Sequence, residues 1–243
     1  MGSVNDHYDR HLGRIYSWML GDLDAAMAAA SAELHDIGVS KVDSGLAVDL
    51  GAGHGVHAVP LAKLGYDVVA LDGCATLVEE LRVNAVGYSV RAVCDDLHAF
   101  PLQINGSVDV IVCMGDTLTH LASADAVESL LQSAHAALNT NGIFAATFRD
   151  YVSRPLRDAE RFVFVKCDAS RILTCFLEYG DDIVTVHDLL HECIDGQWGL
   201  KVSCYPKLRL DPKWVQSVAA RVGLGASLQT GPRGMVRLVA RKR

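Results

Sequence analysis

The chain has 243 residues, 50% of them hydrophobic and 21% charged, a composition that can bury a large core and excludes a disordered chain. Its formal charge of -7 sets up a field that repels nucleic-acid backbones and anionic lipid heads, so neither nucleic acid nor a membrane is an expected partner. Seven cysteines form neither a CxxC pair nor a complete disulfide framework, and no apolar leader or spanning segment is evident, so the expected location is the cytoplasm.

In chain order, residues 5–20 are rich in aromatic and imidazole side chains (His7, Tyr8, His11, Tyr16, Trp18), which predicts a segment packed onto the rest of the protein. The run LDAAMAAASAEL (23–34) holds only good helix formers. Short apolar strands then alternate with helical patterns: a strand at 46–50, a helix from Val56, a strand at 67–72, a helix from Ala75, strands at 90–95 and 108–114, a helix over 124–138, and a strand at 142–148. Such strands are buried on both faces of a parallel sheet. Pro60 sits awkwardly inside the helix expected from Val56, because it removes a helical hydrogen bond.

After Asp150 the texture changes to β-branched and aromatic runs at 161–166, 171–179, 183–193 and 199–205, joined by turn signals such as Asp195-Gly196. These predict antiparallel hairpins. A helix over 212–222 follows, with Asp211 as N-cap, Pro212 at its first position and Gly223 after its end. Runs at 226–230 and 234–243 close the sheet as a terminal hairpin. The expected fold class is α/β: a Rossmann-like doubly wound sheet with a terminal antiparallel hairpin and an antiparallel β insertion after the fifth strand. We expect a single domain over 1–243, with a helical lid at 1–40 and a β cap at 155–210.

Asp49-Leu50-Gly51-Ala52-Gly53-His54-Gly55 lies between the first strand and a helix. Its glycines let backbone approach a ligand closely, and the following helix offers free N–H groups. Asp72 ends the second strand, where a carboxylate can accept both hydroxyls of a ribose, and the doublet Asp95-Asp96 ends the third. Three acidic strand ends therefore converge where such sheets bind ligands. A dinucleotide fingerprint, as in an NAD(P)-dependent oxidoreductase, needs a third glycine where Val56 stands, and Asp49 suits a ligand with a positive amino group.

These residues resemble class I S-adenosylmethionine-dependent methyltransferases. The resemblance implies S-adenosyl-L-methionine as cofactor, with Asp49, Gly51, Ala52 and Gly53 around its methionine part and Asp72 with Gly73 at its ribose. Asp96 with Leu97 would read its adenine, Asp95 remaining open because of the doublet, while Met114, Gly115 and Asp116 after the fourth strand are candidates to complete the pocket, Asp116 alternatively capping a turn. More narrowly, 94–100, 112–121 and 231–234 look like amino-sugar N-methyltransferases and glycine N-methyltransferase relatives. Gly115-Asp116-Thr117 and Phe148-Arg149-Asp150-Tyr151 depart from the amino-sugar pattern. The implied partner is a small-molecule methyl acceptor, with nitrogen favoured over oxygen, for a monomer or homodimer.

His120 matches a histidine of those relatives and is the candidate base or acceptor-orienting group. Against that stands a histidine merely bonded to backbone at a helix start. Tyr8, Tyr16, Trp18, Arg149 and Tyr151 are candidates for the acceptor side, Arg149 as a carboxylate clamp or as one half of a structural ion pair. Tyr205 and Arg209 border the same region. His187 and His191 share a strand face, and without a third ligand spaced nearby no metal site is expected. A cofactor-binding regulator or partner subunit that lost transfer is the remaining alternative.

Overall fold

The computed structural model describes residues 4–243; residues 1–3 of the expected lid lie outside the described residues. The leading segment runs from α1 (Val4–His7) through a π-helical turn (Tyr8–Leu12) and a 3-10 turn (Gly13–Ile15) into α2 (Tyr16–Leu20). Next comes α3 (Leu23–Asp36), started by Asp22, whose side chain accepts from the Ala25 N–H.

The alternating half follows as β1 (Gly45–Leu50), α4 (Ala58–Lys63), β2 (Tyr66–Asp72), α5 (Ala75–Asn84), β3 (Val90–Cys94), β4 (Val108–Cys113), α6 (Ala124–Ala137) and β5 (Leu138–Phe148). Then come β6 (Phe162–Cys167), β7 (Arg171–Tyr179), β8 (Ile183–Ile194) and β9 (Gln197–Leu208), and finally α7 (Pro212–Arg221), β10 (Leu224–Thr230) and β11 (Val236–Lys242). The seven-stranded sheet has the order β10-β11-β5-β4-β1-β2-β3. β1 to β5 are parallel, and β11 runs antiparallel between β5 and β10. The second sheet, β6-β7-β8-β9, is wholly antiparallel. This is the expected doubly wound sheet with its terminal hairpin and inserted antiparallel strands.

Continuous apolar strands are possible because both faces of the large sheet are covered. Val48, Leu50, Ile111 and Phe144 pack on the side of α6 and α7, whereas Ala47, Val68, Val110 and Val112 face α3 and α4. The chain leaves β1 toward β2 and β3, then returns to place β4 on the other side of β1. That reversal opens a crevice beyond the carboxyl ends of the strands.

The helix after the glycine loop starts at Ala58 rather than at Val56, because the turns of the loop extend through His57. Pro60 is then its third residue, in the first turn, where no intrahelical partner exists for the missing N–H. The awkward proline disappears with the corrected start. No helix among the described residues is long and apolar enough to cross a membrane.

Candidate functional site

A cavity of about 530 Å³ opens at the reversal point, lined on one side by Gly51, Gly53, Asp72 and Gly73 and on the other by Tyr8, Tyr16 and His120. The loop is drawn down onto β2, with the N–H groups of Gly51 and Ala52 both donating to the Leu71 carbonyl at 2.8 and 2.9 Å. Gly51 has φ +73, and a Cβ there would lie 2.4 Å from Cγ2 of Thr117, which also lines the cavity. Only glycine fits that crossing.

Asp72 organises the rim. One carboxylate oxygen accepts from the Gly53 N–H and the other from the Cys74 N–H, each at 2.8 Å. Each oxygen keeps a further lone pair, so the side chain can accept ribose hydroxyls while holding the loop. Burial raises its pKa, against those two backbone bonds. Asp95, Asp96 and Leu97 line the far end of the cavity. Asp96 caps the 3-10 helix Leu97–Gln103 by accepting from the His98 N–H at 2.8 Å, and Asp95 accepts from the Asp96 N–H at 2.8 Å.

Asp49 is 1% exposed, and its Oδ2 has no hydrogen-bond partner. Burial pushes its carboxyl up to about 6; the Asp72 charge adds to this, while His57 opposes it. Neither Asp49 nor the buried Ala52 lies on the cavity wall, so both act from behind the loop.

Met114 and Gly115 line the cavity, but Asp116 does not. Held at φ 78, Asp116 is buried and turned away. Its carboxylate meets Lys207 Nζ at 2.5 Å and accepts from the Arg149 N–H at 2.9 Å and the Tyr151 hydroxyl at 3.4 Å. Burial raises its carboxyl, but the Lys207 charge, with His120 and these bonds, holds it below the usual range. Placing Asp116 in the cofactor pocket is thus corrected: its charge is already spent on Lys207. Arg149 is half-exposed beside the same carboxylate, Nε to Oδ2 3.9 Å, and Tyr151 is buried. Neither lines the cavity, which corrects the expected place of Tyr151 on the acceptor side, while Arg149 takes its alternative as one half of an ion pair.

His120 does reach it, half-buried, with its own buried Nε2 unpartnered. Burial and the Lys207 charge push its imidazole down to about 3, although Asp116 opposes them. The Tyr8 and Tyr205 rings stand against it, each with centroids 5.7 Å away. Tyr16 packs edge-on against His54 of the glycine loop at 5.3 Å. Trp18, expected at the acceptor, instead donates its indole N–H to Asp168 at 2.5 Å, at the edge of the second sheet. Arg209 donates to the carbonyls of Gly180 and Asp181 at 2.6 and 3.1 Å and so ties a turn. His187 meets Glu178 at 2.9 Å.

Sequence reasoning missed Lys207, and it missed Ile183, Pro206 and Leu208 on the cavity wall. The available signal was strand alternation, which puts Ser203, Tyr205 and Lys207 on one face of β9.

Residues 47–142 match the family described as the methyltransferase domain. That segment, from β1 into β5, is similar to a methyltransferase domain. Over 106 residues it is 32% identical to a glycine/sarcosine N-methyltransferase of Halorhodospira halochloris, the match covering 43% of this chain and 40% of that protein. The chain thus spans about two fifths of the length of that relative. In fold, it resembles an S-adenosylmethionine-dependent methyltransferase from Clostridium acetobutylicum with a TM-score of 0.74 at 14% identity, covering 94% of this chain and 96% of that one. A sugar N-methyltransferase from Streptoalloteichus gives a TM-score of 0.71 at 13% identity, with 100% and 94% covered. The family match on the methyltransferase domain ends within β5, so the strands β6 to β9 and the leading segment lie outside it.

Proposed function

We propose that the chain binds S-adenosylmethionine in this cleft and transfers its methyl group to a nitrogen of a small molecule. One observation carries the reading: the glycine loop, two acidic strand ends and a neutral, unpartnered histidine line a single cavity. Its volume falls in the usual range for small-ligand sites, about 300–1,000 Å³.

The residues fit the donor. The orphaned Oδ2 of Asp49 offers a counter-charge for an ammonium group, and Asp72 keeps lone pairs for a ribose diol. Gly115, at φ +73, meets nothing within 4 Å of a Cβ position, so its backbone is open to close approach. Bound there, S-adenosylmethionine would supply an electrophilic methyl group.

The chain's own work is then positioning, which can contribute up to ~7–11 kcal/mol when reacting atoms are held in line. His120 is uncharged at neutral pH, so with its one ring proton on Nδ1 its Nε2 can accept a hydrogen bond from an acceptor N–H and aim the nitrogen lone pair at the methyl group. An imidazole with so low a pKa is a poor store for a released proton, and the orienting role is favoured over the general-base role. The leading segment, with Tyr8 and Tyr16 on the cavity, acts as a lid that excludes water, and the second sheet acts as a cap. Nitrogen is preferred because two of the proteins named above, the glycine/sarcosine enzyme and the sugar enzyme, are N-methyltransferases.

Calorimetry with S-adenosylhomocysteine and with NAD, followed by transfer of labelled methyl to a panel of glycine, sarcosine and glucosamine, tests the reading. Donor-product binding and a methylated amine are expected. Preferential NAD binding would overturn it, and binding without transfer to any nitrogen or oxygen acceptor would leave a regulator.

A further inference from the structure

Asp188 stands in the middle of β8, on the face of the second sheet turned toward the leading segment, and is 1% exposed. The Cys175 thiol donates to its Oδ1 at 2.9 Å. A buried carboxyl group needs a partner for its second oxygen as well. The group that meets the other oxygen comes from outside the sheet: His7, 2% exposed at the end of α1, places Nε2 3.0 Å from Asp188 Oδ2. The two atoms approach each other without the alignment of a hydrogen bond.

The ring of His7 is fixed at two further points. Nδ1 lies 2.8 Å from the Ser203 hydroxyl on β9, which can donate or accept as the imidazole requires. Its face stacks on Tyr205 with centroids 4.2 Å apart and planes at 26°. Tyr205 in turn presents its ring at 80° to His120, 5.7 Å away. His7 itself does not line the cavity, whereas His120 does.

We propose that His7 is a positioning residue for methyl transfer: anchored by Asp188 and Ser203 and stacked on Tyr205, it fixes the ring against which His120 rests, and so sets the acceptor's orientation without touching it. This rests on the proposed function. It gives the first helix a task distinct from covering the cleft, because the contact that docks the lid also completes the wall behind His120. Asp188 and His7 then work as one unit, and removing either loses the same alignment.

Two readouts on the full chain test this, using Asp188→Asn, which keeps the shape of the carboxylate, and His7→Gln, which keeps polar reach but loses the stacking ring. In histidine-labelled protein, the ring nitrogen signals of His120 are expected to shift in both variants although neither touches His120. With S-adenosylmethionine and glucosamine, turnover is expected to fall about tenfold in each variant, as a misaligned acceptor requires. Affinity for S-adenosylhomocysteine should stay within about threefold, and the double variant should be no slower than either single one, as members of one unit behave. Unmoved His120 signals in both folded variants overturn the proposal. So does a parallel, additive loss of thermal midpoint, donor affinity and turnover, which marks a plain packing role. If the unaltered protein methylates nothing, the functional reading fails by itself, and the His120 signals still decide the coupling.

Discussion

Lys207 on β9 reaches Asp116, in the loop after β4, across 2.5 Å, and both side chains are buried. The pair bolts the second sheet to the large one directly behind His120. Burial lowers the lysine's hold on its proton, but the Asp116 charge more than restores it, and its pKa ends above the ordinary value. Both groups are therefore charged in the folded protein.

Lys207→Met is expected to strand the Asp116 charge and to cost about 3–5 kcal/mol, read from urea unfolding. Lys207→Met combined with Asp116→Leu should recover most of that loss. A single-variant cost below about 1 kcal/mol, the range of an exposed pair, would show that water reaches the site.

Asp49 predicts a pH dependence of donor binding. Its folded-state carboxyl titrates at about 6, above the ordinary carboxylate value. The folded chain therefore holds more protons than the unfolded one between about 4 and about 6. Over that window stability falls as pH rises, because ionisation puts an unpartnered charge in the core. An ammonium placed beside Asp49 reverses the penalty, so affinity for S-adenosylhomocysteine should climb as pH rises through about 6 and then level off. Calorimetry in buffers of different ionisation enthalpy should register proton release at the lower pH values. A flat affinity, or an Asp49→Asn variant with the same slope, would remove Asp49 from the donor site.

Gly51→Ala combines two faults at one position. The backbone sits at φ +73, and the new methyl would meet Thr117 Cγ2 at 2.4 Å and Oγ1 at 2.5 Å. Loss of donor binding is expected, together with a stability cost of about 1–3 kcal/mol from overpacking and strain. Pairing it with Thr117→Ala should relieve the clash but not the dihedral strain, so stability returns only in part. Full recovery by the pair would mean that sterics alone demand the glycine.

The glycine loop and the strand ends around it were legible because their signals are local. β1, β2 and β4 are buried on both faces and so appear as unbroken apolar runs, and Asp49 and Asp72 sit where two of those runs stop. The start of α4 was misjudged by two residues, since the turns through Gly53 and Gly55 consume positions that helix propensity alone would assign to the helix. The loop after β4 and the leading segment depended on partners far apart in the chain. Asp116 meets Lys207 across 91 positions and Trp18 meets Asp168 across 150. Nothing in the neighbourhood of either residue reveals such a partner. An aspartate after a strand end and an aromatic residue in a leading segment therefore read as ligand contacts, when both hold one part of the protein to another.

His120→Gln separates orientation from basicity. Glutamine can still present an oxygen to an acceptor N–H, but not from the position of Nε2. Turnover should fall about tenfold to hundredfold, short of the upper part of the roughly 10²–10⁴-fold range associated with a full general base. Affinity for S-adenosylhomocysteine should be unchanged. Because the imidazole is held at about 3, it contributes no inflection to the rate profile near neutrality, where the acceptor's own ionisation should set the limb. Its stability signature has the opposite sign to that of Asp49. Between about 6.5 and about 3 the unfolded chain binds the proton that the folded chain refuses, so stability drains away as pH falls through that window. Replacing His120 should flatten that part of the acid-unfolding curve. A variant that keeps the wild-type acid slope while losing activity would mean that His120 is solvated and titrates normally, and a general-base role would then regain its footing.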